Sequence, residues 1–362
     1  MSKMPSPIVP KALRPGDTIA FVSPSARLNT KLSPVITRAK LFLESKGYKV
    51  REFFNEDQDI QSCIANRLSE IRQAFSAEDV SAVICTIGGT TFTELLPALI
   101  KDTELHKVIR EKPKIVVGFS DISIFHWFLH AMTGLRTFYG PGAIPELGEN
   151  AYADESTSPV SFLADHLLRV ITSTEAAGEI PRSQVYTPRI PHFFDEATST
   201  APTPVAATPP WVWLRKGKGR GRLFGGCLTV IARAQGIRAI VPDWKDKLIF
   251  VETATSEDHQ AGNPIHRVQA AFADLIAGGV FDNAAGLVVG RPYGYDSEEE
   301  RQAYMDVITG LFCGGPMGEK DFPILFGVDI GHTMPMVTLP YDTWAELDSD
   351  KDSFAIVEAA VV

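Results

Sequence analysis

Short apolar runs alternate with amphipathic helical patterns through the first half of the chain. Residues 18–22 predict a buried strand, and Ser33-Pro34 then supplies a helix N-cap residue followed by proline at the first helical position. Apolar residues recur at helical spacing up to Gly47, where the helix is expected to end. Alternation of this kind predicts a parallel sheet covered on both faces. Further strands are predicted at residues 48–54, 80–87 and 114–117, with helices at 65–77 and 121–132.

The second half carries a different pattern. Its tail has three closely spaced strand candidates with no helix between them, at residues 324–328, 336–339 and 354–357. We therefore expect a mixed, β-rich second domain. Ahead of that tail, strands are predicted at 247–251 and 287–289 and helices at 265–276 and 297–311.

Between the two halves, from about residue 173 to 210, Pro, Thr and Ala accumulate without a sustained period. Such a composition predicts a linker or a long surface loop. The predicted divisions are a first domain over residues 1–175, a linker or active-site loop over 176–215 and a second domain over 216–362.

Composition and charge narrow the function classes. A chain of 362 residues with 44% hydrophobic and 22% charged residues fits two globular domains. Its net charge of -9 argues against nucleic acid as a partner, because an acidic surface gains nothing from phosphates. The four cysteines form no C-x-x-C motif, which predicts reduced thiols. Without an apolar leader or a stretch long enough to span a membrane, the chain is expected to be cytoplasmic.

Ser120 lies in the strongest local signal, Val117-Gly118-Phe119-Ser120-Asp121. A strand feeds a tight turn and a helix starts directly after it. Such a turn exposes a hydroxyl at the carboxyl end of a parallel sheet, where the helix start also offers free N–H groups to a developing oxyanion. Serine is equally a favoured helix N-cap, and the segment is not the G-x-S-x-G of α/β-hydrolases.

A second glycine turn, Gly88-Gly89, also follows a predicted strand, so both turns should lie on the same edge of the sheet. Its backbone N–H groups could serve an oxyanion or a phosphate. It lacks the lysine of a P-loop and the three-glycine spacing of a dinucleotide site, and a plain strand-to-helix turn is the alternative.

Glu252 and His332 are the candidate partners of a nucleophile. Glu252 closes an apolar strand, which suits a carboxylate that orients a histidine, and a solvated strand end is the alternative. His332 follows Gly331 in a loop just past another apolar strand, and loops carry function disproportionately. A structural or exposed histidine is the alternative there.

Other polar groups give weaker signals. His126 and His130 have i, i+4 spacing, but no H-E-x-x-H glutamate lies between them, so no metal is expected. The five cations of residues 215–222 adjoin Trp211 and Trp213, which indicates either a solvated loop or a loop over an anionic or base-bearing substrate. Arg291 after a strand could clamp a carboxylate, or form a structural ion pair.

Together these segments resemble the LD-carboxypeptidase family of serine peptidases, and within it the branch of the microcin C immunity peptidases. The resemblance extends from about residue 11 to 340, which is nearly the whole chain. The segments that carry it are residues 11–25 (KALRPGDTIAFVSPS), Gly88-Gly89 with Leu95-Leu96-Pro97, 118–122 (GFSDI), 225–228 (GGCL), 250–252 (FVE) and 331–340 (GHTMPMVTLP).

The resemblance implies a flavodoxin-like first domain that carries the nucleophile and a β-rich α/β second domain that carries the other two members of a triad. Matched by motif, the triad is Ser120, Glu252 and His332. The oxyanion donors would be the backbone N–H groups of Gly89 and Asp121. The family also implies a site between the domains, a homodimer, and neither a metal nor an organic cofactor.

The substrate is less determined. After the paired glycines this chain has Thr90-Thr91-Phe92, where the murein-cleaving branch has a tyrosine-glycine with an arginine nearby. The immunity branch cleaves an amide between an aminoacyl group and a nucleotide-like moiety, and presents aromatic residues before its second GG motif, where Trp211 and Trp213 stand. We therefore expect a small peptide or aminoacyl-nucleotide-like substrate, bound by Gly88, Trp211, Trp213 and Arg291, with a murein tetrapeptide as the alternative.

Two other classes of function stay open from the sequence alone. A non-catalytic anion or nucleotide binder with two lobes would use Ser120 as a helix cap, far from His332. A transferase built on the same acyl-enzyme would need an acceptor other than water.

Overall fold

The computed structural model describes residues 7–189, 191, 194–257, 259 and 261–362. Residues 1–6 of the first predicted domain, and residues 190, 192 and 193 of the predicted linker, lie outside the described residues. Within the described part, the strands of the first half are β1 (Thr18–Val22), β2 (Lys49–Phe53), β3 (Val80–Cys85), β4 (Ile115–Gly118) and β5 (Phe138–Tyr139). Those that follow are β6 (Ala176–Glu179), β7 (Val185–Tyr186), β8 (Ala206–Ala207), β9 (Val212–Arg215), β10 (Lys218–Cys227), β11 (Lys247–Glu252), β12 (Gly286–Gly290), β13 (Ile324–Val328), β14 (Leu339–Pro340), β15 (Trp344–Asp348) and β16 (Ser353–Ala359).

The first sheet has the order β14-β5-β4-β3-β1-β2. Strands β1 to β5 are all parallel, and their order 2-1-3-4-5 is that of flavodoxin-like folds. The predicted flavodoxin-like fold of the first domain is therefore confirmed. The strand order reverses between β1 and β3, and the crevice beyond the carboxyl ends at such a switch point is where open α/β sheets bind ligands.

Helices cover this sheet because their apolar residues recur on one face. Helix α2 starts at a capping box in which the side chain of Asp59 accepts from the N–H of Ser62 and the Ser62 hydroxyl accepts in return. The helices of the first half are α1 (Ser33–Ser45), α2 (Ile60–Ser76), α3 (Leu96–Leu99), α4 (Thr103–Glu111), α5 (Ser123–Thr133) and α6 (Pro159–Thr172).

The second sheet has the order β6-β16-β15-β10-β11-β12-β13-β9. Its centre, β10 to β13, is parallel, and its outer strands are antiparallel. This mixture confirms the expected β-rich α/β second domain. The helices of this half are α7 (Leu228–Ala234), α8 (Ile265–Ala277) and α9 (Glu298–Phe312).

Two segments differ from their predictions. Residues 215–222, predicted as a basic loop, form the end of β9 and the start of β10, and the guanidinium groups of Arg220 and Arg222 lie over the Trp344 ring. The pattern misled because glycines alternate with the cations, and those glycines pack against neighbouring backbone. The segment 176–215, predicted as a linker or loop, contributes β6 and β9 to the two edges of the second sheet.

The first and second domains, hereafter the first and second lobes, meet closely where α5 packs against β10. A Cβ atom added at Gly226 would lie 2.5 Å from the hydroxyl of Ser123, so only glycine allows this approach. The Trp127 indole N–H donates to the Gly225 carbonyl across the seam at 3.1 Å. Among the described residues, no helix combines the length and the apolar character that a membrane crossing requires.

Candidate active site

Ser120 occupies a strained turn at the carboxyl end of β4. Its φ of 64° lies in the left-handed region, which is uncommon for a residue with a side chain and persists only where the surroundings impose it. The Ser123 hydroxyl donates to the Ser120 carbonyl at 2.7 Å, and a 3-10 turn begins at Ser120. The turn presents the hydroxyl above the sheet edge, as the sequence predicted, in a pocket where Ser120 is 8% exposed.

The structure brings Ser120, His332 and Glu252 into one hydrogen-bonded chain. The Nε2 atom of His332 lies 3.1 Å from the Oγ of Ser120, and its Nδ1 lies 2.7 Å from an oxygen of Glu252. The same oxygen accepts from the backbone N–H of His332 at 3.1 Å. The two-lobed binder, which would keep Ser120 far from His332, is inconsistent with this geometry.

The His332 loop owes its shape to close packing against Glu252. Gly331 has φ of 82°, and a Cβ atom there would lie 2.1 Å from the Glu252 carboxyl carbon. On the far side, the buried guanidinium of Arg291 pairs with Asp329 and donates to the Thr333 hydroxyl at 2.8 Å. The loop is therefore held from both sides, which fixes the imidazole between its two partners.

Electrostatics favour an ion pair between His332 and Glu252. Burial alone would lower the pKa of His332, but the charge and the hydrogen bond of Glu252 raise that pKa above its ordinary value of 6.5. Burial would likewise raise the pKa of Glu252, yet the charge of His332 and hydrogen bonds from His332 and Tyr139 lower it. The site thus stabilises an imidazolium beside a carboxylate, the state that follows removal of a proton from a hydroxyl.

Tyr139 is a site residue that sequence reasoning missed. Its hydroxyl donates to Glu252 at 2.5 Å and accepts from the backbone N–H of Ser120 at 3.2 Å. A single phenol on the last parallel strand, β5, is therefore hydrogen-bonded to both Ser120 and Glu252. The signal in the sequence is weak, because this strand has only two residues and a Tyr beside Phe138 predicts core packing.

The Gly88-Gly89 turn lies directly against Ser120. A Cβ atom at Gly88 would lie 2.9 Å from the Ser120 Oγ and 3.3 Å from the backbone nitrogen of Asp121. Gly89 has φ of 142°, and a side chain there would collide with Ser25. The turn and the start of the Ser120 helix therefore meet at the hydroxyl, and both predicted oxyanion donors belong to these two segments.

The predicted substrate-binding residues of the second lobe already have protein partners. Arg291 is 5% exposed, pairs with Asp329 and stacks over the Tyr186 ring, as a structural ion pair would, although its Nη1 has no partner among the described residues. Trp211 is 8% exposed and lies under the guanidinium of Arg182 at 4.1 Å. The Trp213 indole donates to Asp352 at 2.8 Å.

The histidines considered for a metal have separate partners. His126 Nε2 lies 2.9 Å from the Gly118 carbonyl, and burial lowers the pKa of this imidazole to about 4. The Nε2 atom of His130 lies 3.5 Å from a carboxylate oxygen of Asp342. Within the described part of the chain, one group of side chains is close enough together to bind a metal ion. It consists of Cys227, Glu252 and His332, whose potential ligand atoms lie within 4.8 Å of one another. Burial keeps the pKa of the Cys227 thiol far above its usual value, which opposes a thiolate ligand.

Glu146 is a second carboxyl group that the sequence did not reveal. It is 3% exposed and accepts from the backbone N–H of Gly142 at 2.9 Å. Burial raises its pKa to about 7, and the charges of both His332 and Glu252 act on it. The site therefore contains two buried carboxyl groups near one imidazole.

Comparison with known proteins finds matches for both halves of the chain. Residues 19–140 match the model of the LD-carboxypeptidase N-terminal domain, and residues 220–347 match the model of the LD-carboxypeptidase C-terminal domain. A Vibrio cholerae protein named as a candidate carboxypeptidase is 29% identical over 96% of this chain and 96% of its own length. The microcin C7 self-immunity protein MccF of Escherichia coli is 26% identical, covering 97% of this chain and 96% of its own. A Bacillus subtilis protein described as a murein peptide carboxypeptidase is also 26% identical, over 97% and 95% of the two chains.

Solved structures show the same architecture. The microcin C7 self-immunity protein in complex with aspartyl sulfamoyl adenosine superposes with a TM-score of 0.82 at 25% identity, covering 98% of this chain and all of that one. An MccF-like protein of Streptococcus pneumoniae in complex with AMP gives a TM-score of 0.79 at 21% identity, over 94% of this chain and 98% of its own, and therefore supports the fold alone.

Proposed function

Because the chain belongs to the LD-carboxypeptidase family of serine peptidases, we propose that it hydrolyses an amide bond through an acyl-enzyme formed on Ser120. In this proposal His332 is the general base and Glu252 orients it. The observation that carries the proposal is the hydrogen-bonded chain from Ser120 Oγ through both nitrogens of His332 to Glu252, at 3.1 and 2.7 Å.

In the first half-reaction, Nε2 of His332 takes the hydroxyl proton while Oγ attacks the carbonyl carbon of the substrate. The tetrahedral intermediate collapses when the same nitrogen returns the proton to the leaving amide nitrogen. Water then enters, gives a proton to Nε2 and attacks the ester, which releases the acid and restores the serine. Glu252 holds Nδ1–H throughout and offsets the positive charge on the ring.

The backbone N–H groups of Gly89 and Asp121 are the proposed donors to the oxyanion. The proposal is supported by the packing of Gly88 against both the Ser120 hydroxyl and the Asp121 nitrogen, which leaves a narrow space at that corner. Donors held in place before the reaction cost no reorganisation when charge develops, and removing one typically slows such enzymes about 100-fold or more.

We propose an aminoacyl-nucleotide-like amide as the substrate. In support, a fold neighbour at 25% identity is solved with aspartyl sulfamoyl adenosine, and the microcin C7 self-immunity protein resembles this chain over nearly its full length. The residues after the paired glycines also lack the tyrosine-glycine of the murein-cleaving branch. A murein tetrapeptide is the alternative, favoured by the Bacillus subtilis relative. Substrate contacts of Trp211, Trp213 and Arg291, a homodimer and a cytoplasmic location stay predictions.

The test is a product analysis with two substrates. The purified chain is incubated with aspartyl sulfamoyl adenosine or with a murein tetrapeptide, and the products are identified by mass spectrometry. We expect release of aspartate and sulfamoyl adenosine, and loss of this activity in Ser120→Ala but not in the exposed control Ser45→Ala. Cleavage of the tetrapeptide alone would overturn the substrate class, and turnover by Ser120→Ala near the wild-type rate would overturn the mechanism.

A further inference from the structure

Arg233, on the second-lobe helix α7, reaches across to both loops that carry the proposed oxyanion donors. Its Nη2 donates to a carboxylate oxygen of Asp121, and its Nη1 donates to the carbonyl of Thr90 at 3.3 Å. Thr90 directly follows Gly89, and Asp121 directly follows Ser120. A single guanidinium thus joins the Gly88-Gly89 turn to the turn of the nucleophile.

The carboxylate of Asp121 is the centre of this arrangement. It is fully buried, and its second oxygen accepts from the Ser25 hydroxyl at 2.6 Å and from the backbone N–H of Phe92 at 2.9 Å. Burying a carboxylate is costly unless a cation and hydrogen-bond donors surround it. Among the described residues, Arg233 is the cation that pairs with it.

This pairing crosses the seam between the lobes. Ser25, Phe92 and Asp121 belong to the first lobe, whereas Arg233 extends from the second, and its side chain is 40% exposed on the far side. Nearby, the backbone N–H of Cys227 donates to the Ser123 hydroxyl at 3.1 Å, so the start of α7 is anchored to the helix that follows the nucleophile. The position of the guanidinium is therefore fixed relative to both donor loops.

We propose that Arg233 is a positioning residue for the oxyanion hole, and the proposal rests on the proposed function. Backbone donors are effective only when they are held to within about 0.5 Å of the developing charge. In this role Arg233 sets the spacing between the Gly89 and Asp121 segments through its bonds to Thr90 and Asp121. Docking of the second lobe therefore completes both the triad, through His332, and the oxyanion hole, through Arg233.

The experiment compares Arg233→Gln, Arg233→Lys and the control Arg238→Gln, which removes the same charge from an exposed position just beyond α7. Steady-state kinetics are measured with the substrate that the wild type hydrolyses. For Arg233→Gln we expect kcat to fall about 100-fold with KM changed less than about 3-fold, because misplaced donors weaken transition-state binding. Arg233→Lys keeps the charge but cannot bond both loops, so about a 10-fold loss of kcat is expected.

A double variant separates positioning from general damage. Asp121→Asn should lower kcat by a similar factor, and Arg233→Gln added to it should cost little more, because both changes break one unit. Thermal unfolding shows whether each variant is folded. If Arg233→Gln does not fold, the kcat of Arg233→Lys tests the positioning role.

Two results would overturn the positioning role: kcat of the folded Arg233 variants equal to that of Arg238→Gln, or a loss confined to KM. A failure of the proposed function has a different signature, since the wild type would then be inactive or Ser120→Ala active.

Discussion

Two carboxyl groups near His332 are equally buried, yet their pKa values move in opposite directions. Glu252 ends a strand of the second lobe and receives hydrogen bonds from the His332 ring and backbone and from Tyr139, and its pKa lies below 4.5. Glu146 lies in the short π-helical turn Ala143–Leu147 of the first lobe and accepts from the backbone N–H of Gly142, and burial raises its pKa to about 7. Burial acts the same way on both groups, so their hydrogen-bonding partners decide the outcome.

The difference between Glu252 and Glu146 shows what a buried carboxylate needs in order to stabilise a neighbouring imidazolium. Glu252 stays ionised because the cation it serves is hydrogen-bonded to it, so it can stabilise the imidazolium that forms during reaction. Among the described residues no such cation is hydrogen-bonded to Glu146, and burial raises the pKa of this carboxyl group to about 7. This difference supports the catalytic role proposed for Glu252, and we expect Glu146 to affect mainly the dependence of stability on pH.

The largest effect is expected for Glu252→Gln. The amide cannot offset a charged imidazole, and it can favour the wrong tautomer, so kcat/KM should fall roughly 10³- to 10⁴-fold. The matched control Glu146→Gln should change kcat/KM at pH 8 by less than about 10-fold. Equal losses in the two variants, measured by steady-state kinetics, would remove the distinction between these carboxyl groups.

Glu146→Gln should instead alter stability. The pKa of Glu146 is about 7 in the folded chain and near 4.5 when unfolded, so the folded state binds the proton more tightly and loses stability as pH rises between these values. The neutral variant lacks this loss, and its advantage should grow across that window to on the order of 3 kcal/mol at pH 8. Urea unfolding at pH 5 and pH 8 measures it, with the exposed Glu104→Gln as the control. An advantage independent of pH would contradict the assignment.

Tyr139→Phe should have an intermediate effect on catalysis, about 30-fold in kcat/KM. It removes one donor to Glu252 and the acceptor for the Ser120 N–H, each worth about 1 kcal/mol. Tyr341→Phe is the control, because that hydroxyl donates to the Gly225 carbonyl at the seam and should affect stability more than rate. A larger loss of kcat/KM in the Tyr341 variant would show that Tyr139 acts by packing alone.

The smallest effect is a shift in the pH profile. His332 must be neutral to accept a proton, and Glu252 holds the pKa of His332 above 6.5, so the acid limb of kcat/KM should lie above pH 6.5. In Glu252→Gln, burial is left as the main influence and the limb should move to lower pH. An unmoved limb in that variant would mean that another group controls the profile.

Much of the fold was predictable because its elements depend on local patterns. Alternating strands and helices predicted the parallel first sheet, and two of the three close-spaced tail strands, at 324–328 and 354–357, lie in the β-rich second lobe as predicted. The third, predicted at 336–339, was wrong, because only its end forms a strand, β14, and β14 pairs with β5 of the first sheet. Ser120 was visible as a polar residue between a strand and a helix. Glu252 and His332 gained their assignment from the family resemblance, because their meeting depends on contacts between residues 80 positions apart.

The rest depends on tertiary contacts that leave no local trace. Tyr139 and Arg233 are single polar residues with partners far away in the sequence, and the charges that act on Glu146, those of His332 and Glu252, are equally distant. In the sequence, the surroundings of all three resemble ordinary core or helix. The prediction for residues 215–222 was wrong for the opposite reason. Their charge pattern indicated a loop, but the glycines between the charged residues allowed a central strand to form. Neither outcome could be derived from spacing alone.

Labelling by a fluorophosphonate shows whether His332 activates Ser120, as we propose. The reagent modifies a serine only when that serine is nucleophilic, and peptide mass spectrometry locates the adduct. We expect one adduct on Ser120 in the wild type and in Glu146→Gln, and none in folded His332→Ala. An unlabelled wild type, or an adduct on another serine, would contradict it.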